Sequence, residues 1–505
     1  PTMRPESLVA ENVANLFAAA VGSDLNSSAE GLTLRASSTD VSLAAAPRPT
    51  KTDRRSLRIT LVVHQFPPNY FTGTEQYVLN VGKELQRRGH DVDVFSLEPA
   101  FGEATGPWRE SREHVQGLPV RRINFWMNIG RDWRRMEYRH AYMAEVFAAH
   151  MRERDTDVVH SFHLRHLGAD LIDRVVEQRR GLVVSLMDFW FLCPRVILMK
   201  SDGTPCDGPP DGGRGCLPCH TPKLFEQLQQ SPVAAEIDRL HVTSRGQSQP
   251  GWELRQKVAT MLERPAYLRE RLAKAHTIVA PTEFLRGVFL KNGAPEDRIR
   301  HLSYGVDTGA LAEQVTRLRP VKRPLTFGFF GTYSPHKGPN LLVEAMLQVK
   351  GDCRALLRGR KNDFTEYSGA LEATAEQDER ITVAGPFARE ELAQALAQID
   401  VLVVPSTWHE NAPFVVLEAR AAGLPVLASR FGGLVEVVHD EIDGELFSPG
   451  DATDLAQRLQ RLLDEPERLA RYRDAVQPPK SLQLAVDEFE SVYADAAPSS
   501  EAAQQ

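Results

Sequence analysis

The segment 401–429, VLVVPSTWHENAPFVVLEARAAGLPVLAS, constrains the fold of this chain more than any other stretch. Its apolar run, Val401 to Val404, has the composition of a strand buried on both faces. Asn411 is expected to cap a following helix with Pro413 in its first turn, and a second apolar strand follows at 425–428. Strand, helix and strand in this order predict a doubly wound parallel α/β sheet.

Two glutamates flank the start of the predicted helix. Glu410 lies just before it, and Glu418 lies inside it. The amides and the dipole at a helix start attract an anion, whereas carboxylates accept hydrogen bonds from neighbouring hydroxyl groups. The pattern therefore favours a ligand with central phosphates and hydroxylated rings at both ends, such as a sugar nucleotide. The alternative is that Glu410 caps the helix and that Glu418 is solvated on its face.

Length and composition exclude several classes of protein. A chain of 505 residues has room for two large domains, and its hydrophobic content of 42% and charged content of 25% are those of an ordinary globular protein. The formal net charge of −7 gives no support to a nucleic-acid partner. No apolar run approaches the ~20 residues of a membrane helix, and no secretory signal pattern is present. We therefore expect a cytoplasmic protein, with room for peripheral membrane contact.

Composition and periodicity divide the chain into four segments. Residues 1–54, rich in Ala, Ser and Thr, are expected to form a flexible leader. Residues 55–306 are expected to form one Rossmann-like domain and residues 307–480 a second, and a last helix and tail occupy 481–505. Strands are predicted at 57–64, 90–96, 157–164, 182–190, the start of 277–293, 299–307, 325–331, 354–359, 381–385, 401–405 and 425–429.

The pattern between residues 101 and 156 is irregular. Its segment 121–140 mixes aromatic residues with arginines. Two interpretations stay open for this segment. One is an amphipathic surface that faces a membrane or an anionic acceptor, and the other is a helix with buried aromatic residues and solvated arginines.

Polar residues follow several predicted strands of the first domain. The loop 65–74 follows the first strand, and His160, His163 and Asp188 lie where two later strands end. Because the carboxyl ends of parallel strands share one edge of a sheet, we expect these residues to line one cleft.

A loop of the second domain has the features of a phosphate site. The residues GTYSPHKG (331–338) lead into a predicted helix, with Lys337 near its start. Main-chain amides and a lysine together favour phosphate binding. The loop is not a P-loop, because the spacing GxxxxGK[ST] is absent.

Four of the five cysteines lie close together in the sequence. They are spaced C-x12-C-x9-C-x2-C in a Gly- and Pro-rich segment without a core of its own: Cys193, Cys206, Cys216 and Cys219. A structural Zn²⁺ ion bound by these thiolates would hold such a loop together. An iron–sulfur cluster and disulfides are the second and third interpretations, and His220 could replace one ligand. Cys353 lies in a predicted strand and is expected in the core.

With these motifs, the chain resembles family 4 glycosyltransferases over about residues 57–480. The strongest shared feature is the Glu-x7-Glu motif, Glu410 and Glu418, with its continuation FGGLVEVVHDEIDGELFSPGD (431–451). The resemblance implies the α/β GT-B architecture, in which two Rossmann-like doubly wound domains face each other across a cleft and the last helix crosses back to the first domain. The segment DFWFLCPR (188–195) with its later cysteines resembles one subset of this family.

The resemblance also implies a function. Members transfer a sugar from a nucleoside-diphosphate sugar to an acceptor hydroxyl with retention of configuration, without a catalytic cofactor or metal. The expected acceptor is a glycan, a lipid-linked molecule or a small molecule, and the expected role is in polysaccharide or glycoconjugate biosynthesis. Two alternatives are a nucleotide-sugar epimerase on the same fold and a binding protein without turnover.

The roles of individual residues follow from the same resemblance. Glu410 would bind the transferred sugar, Glu418 the ribose and Lys337 the diphosphate, while His163, preferred over His160, would face the sugar from the first domain. This chain has Thr332 where members commonly have arginine, so either Arg358 or Arg360 supplies that diphosphate contact or the contact is missing. The other implied donor-binding residues are Gly331, Thr332, Asn411, Ala412, Pro413, Phe414 and Gly73.

Overall fold

The computed structural model describes residues 56–100, 108–126, 135–220, 252–307, 309–320, 324–361 and 363–498. The predicted leader, residues 1–54, lies outside these ranges, and so do residues 127–134 of the segment 121–140. The chain divides into two compact units, one formed by Arg58–His220 with Thr260–Gln505 and the other by Pro1–Leu57 with Thr221–Ala259. Both sheets belong to the first of these units.

An eight-stranded sheet forms the N-terminal half of the described residues. Its spatial order is β3-β4-β2-β1-β5-β6-β7-β8, and all neighbours are parallel except β3 and β4. Its strands are β1 (Arg58–Val63), β2 (Asp91–Ala100), β3 (Trp108–Val115), β4 (Leu118–Trp126), β5 (Val158–Ser161), β6 (Gly181–Ser185), β7 (Thr277–Ala280) and β8 (Ile299–His301).

A six-stranded parallel sheet forms the C-terminal half. Its spatial order within the described residues is β11-β10-β9-β12-β13-β14. Its strands are β9 (Leu325–Phe330), β10 (Cys353–Arg358), β11 (Ile381–Ala384), β12 (Val401–Val404), β13 (Val426–Ser429) and β14 (Gly444–Phe447).

Helices connect the strands of both halves. None of the described helices is both long and apolar enough to span a bilayer. The α-helices are α1 (Gly73–Arg87), α2 (Ala141–Arg154), α3 (Asp170–Glu177), α4 (Leu217–His220), α5 (Trp252–Leu272), α6 (Glu283–Lys291), α7 (Leu311–Leu318), α8 (Pro339–Met346), α9 (Thr365–Ala375), α10 (Leu392–Ala397), α11 (Phe414–Ala421), α12 (Leu434–Val437), α13 (Ala452–Asp464), α14 (Pro466–Ala475) and α15 (Leu482–Ala496).

The strand β12 shows why continuous apolar runs form the centre of these sheets. All four of its residues are buried. Val401 and Val403 pack into one hydrophobic cluster, whereas Leu402 and Val404 pack into another. Since successive side chains of a strand point to opposite faces, the run fills a core on each side of the sheet. This confirms the prediction made from the apolar run.

The strands β3 and β4 form a hairpin in the region that the sequence left irregular. The expectation of a helix at 121–140 is wrong for its first part, because β4 extends to Trp126, whereas the alternative of an amphipathic surface stays a prediction. Arg122 lies in the middle of β4 and is buried, and it donates to the carbonyl oxygens of Phe66 (3.0 Å) and Pro67 (2.6 Å). A buried arginine with its own acceptors interrupts the apolar pattern by which strands are recognised.

The chain crosses between the two halves twice at adjacent positions. The amide of Val306 donates to the carbonyl of Lys480, and the amide of Leu482 donates to the carbonyl of Val306, both at 3.0 Å. The helix α15 then packs on the N-terminal half, where Arg88 contacts Asp487 (2.6 Å) and Glu490 (2.8 Å). Two doubly wound halves with a returning last helix confirm the expected GT-B architecture.

Candidate functional site

Two loops of the C-terminal half meet at the carboxyl edge of its sheet. Gly338 has a φ of +64°, and a Cβ on it would lie 2.2 Å from the carbonyl oxygen of Pro405, so a glycine is required. The amide of Thr407 donates to the carbonyl of His336 at 2.9 Å. These contacts hold the loop containing Lys337 against the loop that precedes α11.

The carboxylate of Glu410 is the centre of this contact. Its Oε1 accepts hydrogen bonds from Lys337 Nζ (2.6 Å), Ser406 Oγ (2.7 Å) and Trp408 Nε1 (2.8 Å). Glu410 is only 4% exposed, and Lys337 Nζ lies 4.8 Å from the centre of the Trp408 ring. None of the three bonds uses Oε2, and an ammonium group has three donors. The cluster therefore keeps an acceptor and two donors for a ligand.

Two glycines hold the main chain of Glu410 in place. The amide of Gly433 donates to the Glu410 carbonyl at 2.7 Å. Gly432 has a φ of +57°, and a Cβ on it would lie 2.6 Å from the same carbonyl oxygen. The helix α12 starts directly after this pair, so the Gly-Gly sequence brings the backbone of 431–434 against the site.

The helix α11 begins two residues later than expected. Its N-cap is Pro413, so the prediction that Asn411 caps the helix is wrong. The side chain of Asn411 instead accepts from Thr282 Oγ1 (2.8 Å) and donates to the carbonyl of Met187 and the hydroxyl of Tyr304 (both 3.4 Å). Asn411 therefore connects the two halves of the protein.

The second glutamate of the motif lies inside α11 and has a cationic partner. Arg389 donates through Nη1 to Glu418 Oε1. Burial raises the pKa of Glu418, and the charge and hydrogen bond of Arg389 act in the opposite direction. The sequence analysis missed Arg389, because it lies in a polar loop after β11 without a motif of its own.

The start of the loop 331–338 lies next to β10. The amide of Gly331 donates to the carbonyl of Arg358 at 3.0 Å. The Arg358 side chain donates to the carbonyl oxygens of Gly385 (2.9 Å) and Pro386 (3.3 Å). Arg360 pairs with Asp363 at 3.4 Å. Both arginines thus lie at the edge where β9 and β10 end, beside Thr332.

In the N-terminal half, His163 and Asp188 form a hydrogen-bonded pair. His163 Nε2 lies 2.9 Å from Asp188 Oδ2, and the amide of Arg165 donates to His163 Nδ1 at 3.2 Å. Since Nδ1 accepts, the ring proton is on Nε2 and His163 donates to Asp188. Both ring nitrogens are thereby used, and the Asp188 side chain, 26% exposed, is the group that can meet a ligand.

A further histidine that the sequence analysis missed lies against this pair. The ring of His64 is 4.1 Å from the ring of His163. Burial lowers the pKa of His64 well below its ordinary value, and the neighbouring His163 adds to this effect. His64 could have been found from the sequence, because it lies at the end of the first predicted strand. The carboxyl ends of parallel strands share one edge of the sheet, and His163 lies at the same edge.

His160 has a structural environment. It is completely buried, with Nδ1 2.7 Å from the Tyr493 hydroxyl and Nε2 2.8 Å from Ser185 Oγ. It links β5 to β6 and to the returning helix α15. Of the two histidines considered from the sequence, His163 is the one paired with the partly exposed Asp188.

The burial of His160 predicts a pH dependence of stability. Burial lowers its pKa from 6.5 to about 3. Below pH 6.5 His160 therefore binds a proton in the unfolded chain but not in the folded protein. Its contribution to the free energy of unfolding falls by about 1.4 kcal/mol per pH unit until pH 3. In urea unfolding between pH 7 and 4, the free energy of unfolding of His160→Gln should fall less steeply with decreasing pH than that of the unmodified protein. The exposed His114→Gln is the matched control, and an unchanged slope in His160→Gln would contradict the assignment.

Residues on both sides of Asp188 contact residues on both sides of Glu410. The carbonyl of Met187 accepts from Asn411, and the ring centre of Phe189 lies 6.2 Å from that of His409. The His163–Asp188 pair and the Lys337–Glu410 pair therefore lie on neighbouring walls of one cleft.

An aromatic cluster forms a second contact between the two halves. Phe414 stacks on Tyr304 at 4.8 Å and lies 5.3 Å from Tyr77, between ring centres. A Cβ on Gly73 would lie 2.6 Å from the Phe414 ring. Gly73 thus permits the start of α1 to approach the start of α11. The sequence analysis missed Tyr77 and Tyr304, since their direction depends on packing between the halves.

The four clustered cysteines lie together in space. Cys193, Cys206, Cys216 and Cys219 line one cavity, whereas Cys353 is buried in β10 as expected. Burial and the three neighbouring thiols raise the pKa of Cys216 to about 12. Within the part of the chain that the structure describes, no three His, Cys, Asp or Glu side chains are already arranged to hold a metal ion.

Two known domain families match the two halves of the chain. Residues 72–305 match the family described as Glycosyl transferase 4-like domain. Residues 313–477 match the family described as Glycosyl transferases group 1. The second match contains Lys337, Glu410 and Glu418, and the first contains His163 and Asp188.

Curated relatives match over part of their length. The chain is 34% identical over 194 residues to the D-inositol 3-phosphate glycosyltransferase of Xylanimonas cellulosilytica, covering 35% of this chain and 46% of the relative. It is 29% identical over 215 residues to the lipopolysaccharide 1,2-N-acetylglucosaminetransferase of Salmonella typhimurium, covering 40% of this chain and 51% of the relative. The chain thus spans about half the length of these curated relatives.

Solved structures share the whole fold at low identity. The Anabaena protein HepE, crystallised with UDP and glucose, has a TM-score of 0.58 at 17% identity, covering 87% of this chain and 99% of that protein. Sucrose-phosphate synthase from Thermosynechococcus elongatus has a TM-score of 0.57 at 19% identity, covering 87% and 98%. The chain thus combines a match to the glycosyl transferase 4-like domain at 72–305 with a match to glycosyl transferases group 1 at 313–477, and it has a GT-B fold.

Proposed function

We propose that this protein is a retaining glycosyltransferase that moves a sugar from a nucleoside-diphosphate sugar to an acceptor hydroxyl. The observation that carries the proposal is the Lys337–Glu410 pair, which combines a cation with a carboxylate at the edge of the second sheet. A sugar nucleotide needs both, since its phosphates are anionic and its rings present hydroxyl groups. The His163–Asp188 pair on the neighbouring wall supplies an acceptor side.

The donor would lie along α11. Glu418 would accept hydrogen bonds from ribose hydroxyls, and the backbone amides of Ala412 and Phe414, on either side of Pro413, which has no N–H, would favour a phosphate. Lys337 can donate to a phosphate oxygen while it still donates to Glu410, because it has three donors. Glu410 Oε2 would accept from a hydroxyl of the transferred sugar. Gly331 and Thr332 offer backbone next to the same phosphates.

The reaction would break the bond between the anomeric carbon and the phosphate oxygen and form a bond to the acceptor oxygen. In a front-face attack, the departing phosphate oxygen takes the acceptor proton, so the anomeric configuration is kept. Negative charge grows on the leaving diphosphate in the transition state. Lys337 and the helix amides would stabilise that charge, because they are hydrogen-bond donors held in place by the fold before the reaction begins.

Relatives and neighbours guide the choice of substrates. One solved neighbour was crystallised with UDP and glucose, and curated relatives are named for transfer to inositol phosphate and to lipopolysaccharide. We propose a hexosyl donor and a polyhydroxylated acceptor, either a glycan, a lipid-linked molecule or a small molecule, in polysaccharide or glycoconjugate biosynthesis.

An assay with and without acceptor tests the proposal. UDP-, GDP-, ADP- and dTDP-sugars are incubated with a panel of polyols and glycans, and nucleotide release is measured. The proposal requires release that depends on the acceptor and a product whose anomeric proton shows the donor configuration by NMR. Conversion of the donor sugar without acceptor would favour the epimerase alternative. Binding without any conversion would favour the non-catalytic one.

A further inference from the structure

The segment that carries the four cysteines is clamped between two helices by its backbone. A Cβ on Gly213 would lie 2.0 Å from the carbonyl oxygen of Met261 in α5. On the other side, Asn292, next to α6, donates to the carbonyl of Asp207 at 2.8 Å. A Cβ on Gly208 would lie 2.0 Å from the Asn292 side chain. These approaches fix the path of the segment's backbone.

Cys193, Cys206, Cys216 and Cys219 line one cavity with apolar neighbours, and all four are free thiols. The segment contains only short helical turns, including α4. A thiol is a weak hydrogen-bonding group, so four thiols in one cavity add little to the stability of the segment by themselves.

A buried cation lies next to the segment that carries Cys193. Arg264 is 1% exposed and its Nη1 has no hydrogen-bond partner. Its Nη2 donates to the carbonyl oxygen of Trp190 at 2.6 Å, and its Nε donates to the carboxylate of Glu137 at 3.3 Å. Arg264 therefore fixes the backbone three positions before Cys193.

We propose that Cys193, Cys206, Cys216 and Cys219 bind one Zn²⁺ ion as a closed tetrathiolate site. Four sulfur ligands and no open position define a structural site. The thiols line the cavity without being gathered at coordination distance, so metal binding draws them inward and releases their protons. Cys193 lies only five positions after Asp188. The ion would therefore hold the wall of the cleft that carries Asp188.

The test starts from the purified full chain. Elemental analysis is expected to find about one zinc per chain, and mercurial titration of the thiols should release it. Cys216→Ser and Cys219→Ser should lose the zinc, whereas Cys353→Ala, the matched control, should keep it. A zinc chelator should lower the thermal unfolding midpoint, and added Zn²⁺ should restore it.

Three results would overturn the proposal. Bound iron with visible absorption would show an iron–sulfur cluster instead of zinc. A thermal unfolding midpoint that falls with reductant but not with chelator would show disulfides. Four reactive thiols in a metal-free, folded protein would show that the cysteines bind nothing. If the serine variants fail to fold, metal analysis of the unmodified protein still decides. Nucleotide titration, which reports on the C-terminal half, separates failure of this site from failure of the transferase proposal.

Discussion

Glu410→Gln is expected to lower kcat by about 100- to 1,000-fold while nucleotide affinity changes little. Glutamine has the same shape and can still accept from Ser406 and Trp408, which donate to Glu410 at 2.7 and 2.8 Å. It removes the negative charge that holds Lys337 and the stronger acceptor for the sugar hydroxyl. Lys337 itself keeps its charge for the phosphates, and the weakened acceptor concerns the transferred sugar. The loss should therefore appear mainly in kcat, because the free nucleotide carries no transferred sugar.

Steady-state kinetics with a saturating acceptor, together with calorimetry of nucleotide binding, measure the two effects separately. Glu376→Gln is the matched control, because Glu376 is an exposed glutamate after α9 in the same half. Unchanged kcat in Glu410→Gln would show that the sugar does not bind at this carboxylate. Loss of both kcat and nucleotide affinity would place Glu410 on the nucleotide instead.

Lys337→Ala is expected to weaken binding of the nucleoside diphosphate by on the order of tenfold and to lower kcat further, by about 100-fold. Lys337 donates to Glu410 at 2.6 Å and is the cation closest to that carboxylate among the described contacts. Its removal takes a charge from the diphosphate in the ground state. The kinetic effect is larger because the leaving group becomes more negative in the transition state.

The nucleoside without phosphates provides the discriminating ligand for this variant. It should bind equally to Lys337→Ala and to the unmodified protein, since the contact concerns only the phosphates. Lys350→Ala, which changes an exposed lysine of the same half, is the control. Equal affinity of both proteins for the diphosphate would remove Lys337 from the proposed leaving-group site.

The sequence was sufficient to predict the elements that meet at the carboxyl edge of the second sheet. The apolar run of β12 and the residues Asn411 and Pro413 predicted a strand followed by a helix start, and the loop 331–338 was predicted to be a phosphate site at the start of another helix. Parallel strands bring such loops together by topology alone. The structure accordingly brings Lys337 into contact with Glu410, a pair that the sequence separates by more than seventy positions.

The details that could not be predicted depend on side-chain direction and on packing between the halves. Arg122 is buried in β4, where its guanidinium has carbonyl acceptors that no local pattern reveals. Arg389 reaches Glu418 from a loop without a motif. Asn411 was assigned to a cap because its residue type favours one, yet contacts with Thr282 and Tyr304 use its side chain instead.

The most direct test of the central claim is calorimetric titration of UDP, GDP, ADP and dTDP into the protein and into Glu418→Ala, with Glu376→Ala as the control. One nucleotide should bind, and its affinity should fall on the order of 100-fold in Glu418→Ala, because two charge-assisted hydrogen bonds to the ribose are lost. Binding retained in Glu418→Ala would refute the ribose assignment. If none of the four nucleotides binds, the transferase proposal itself is contradicted.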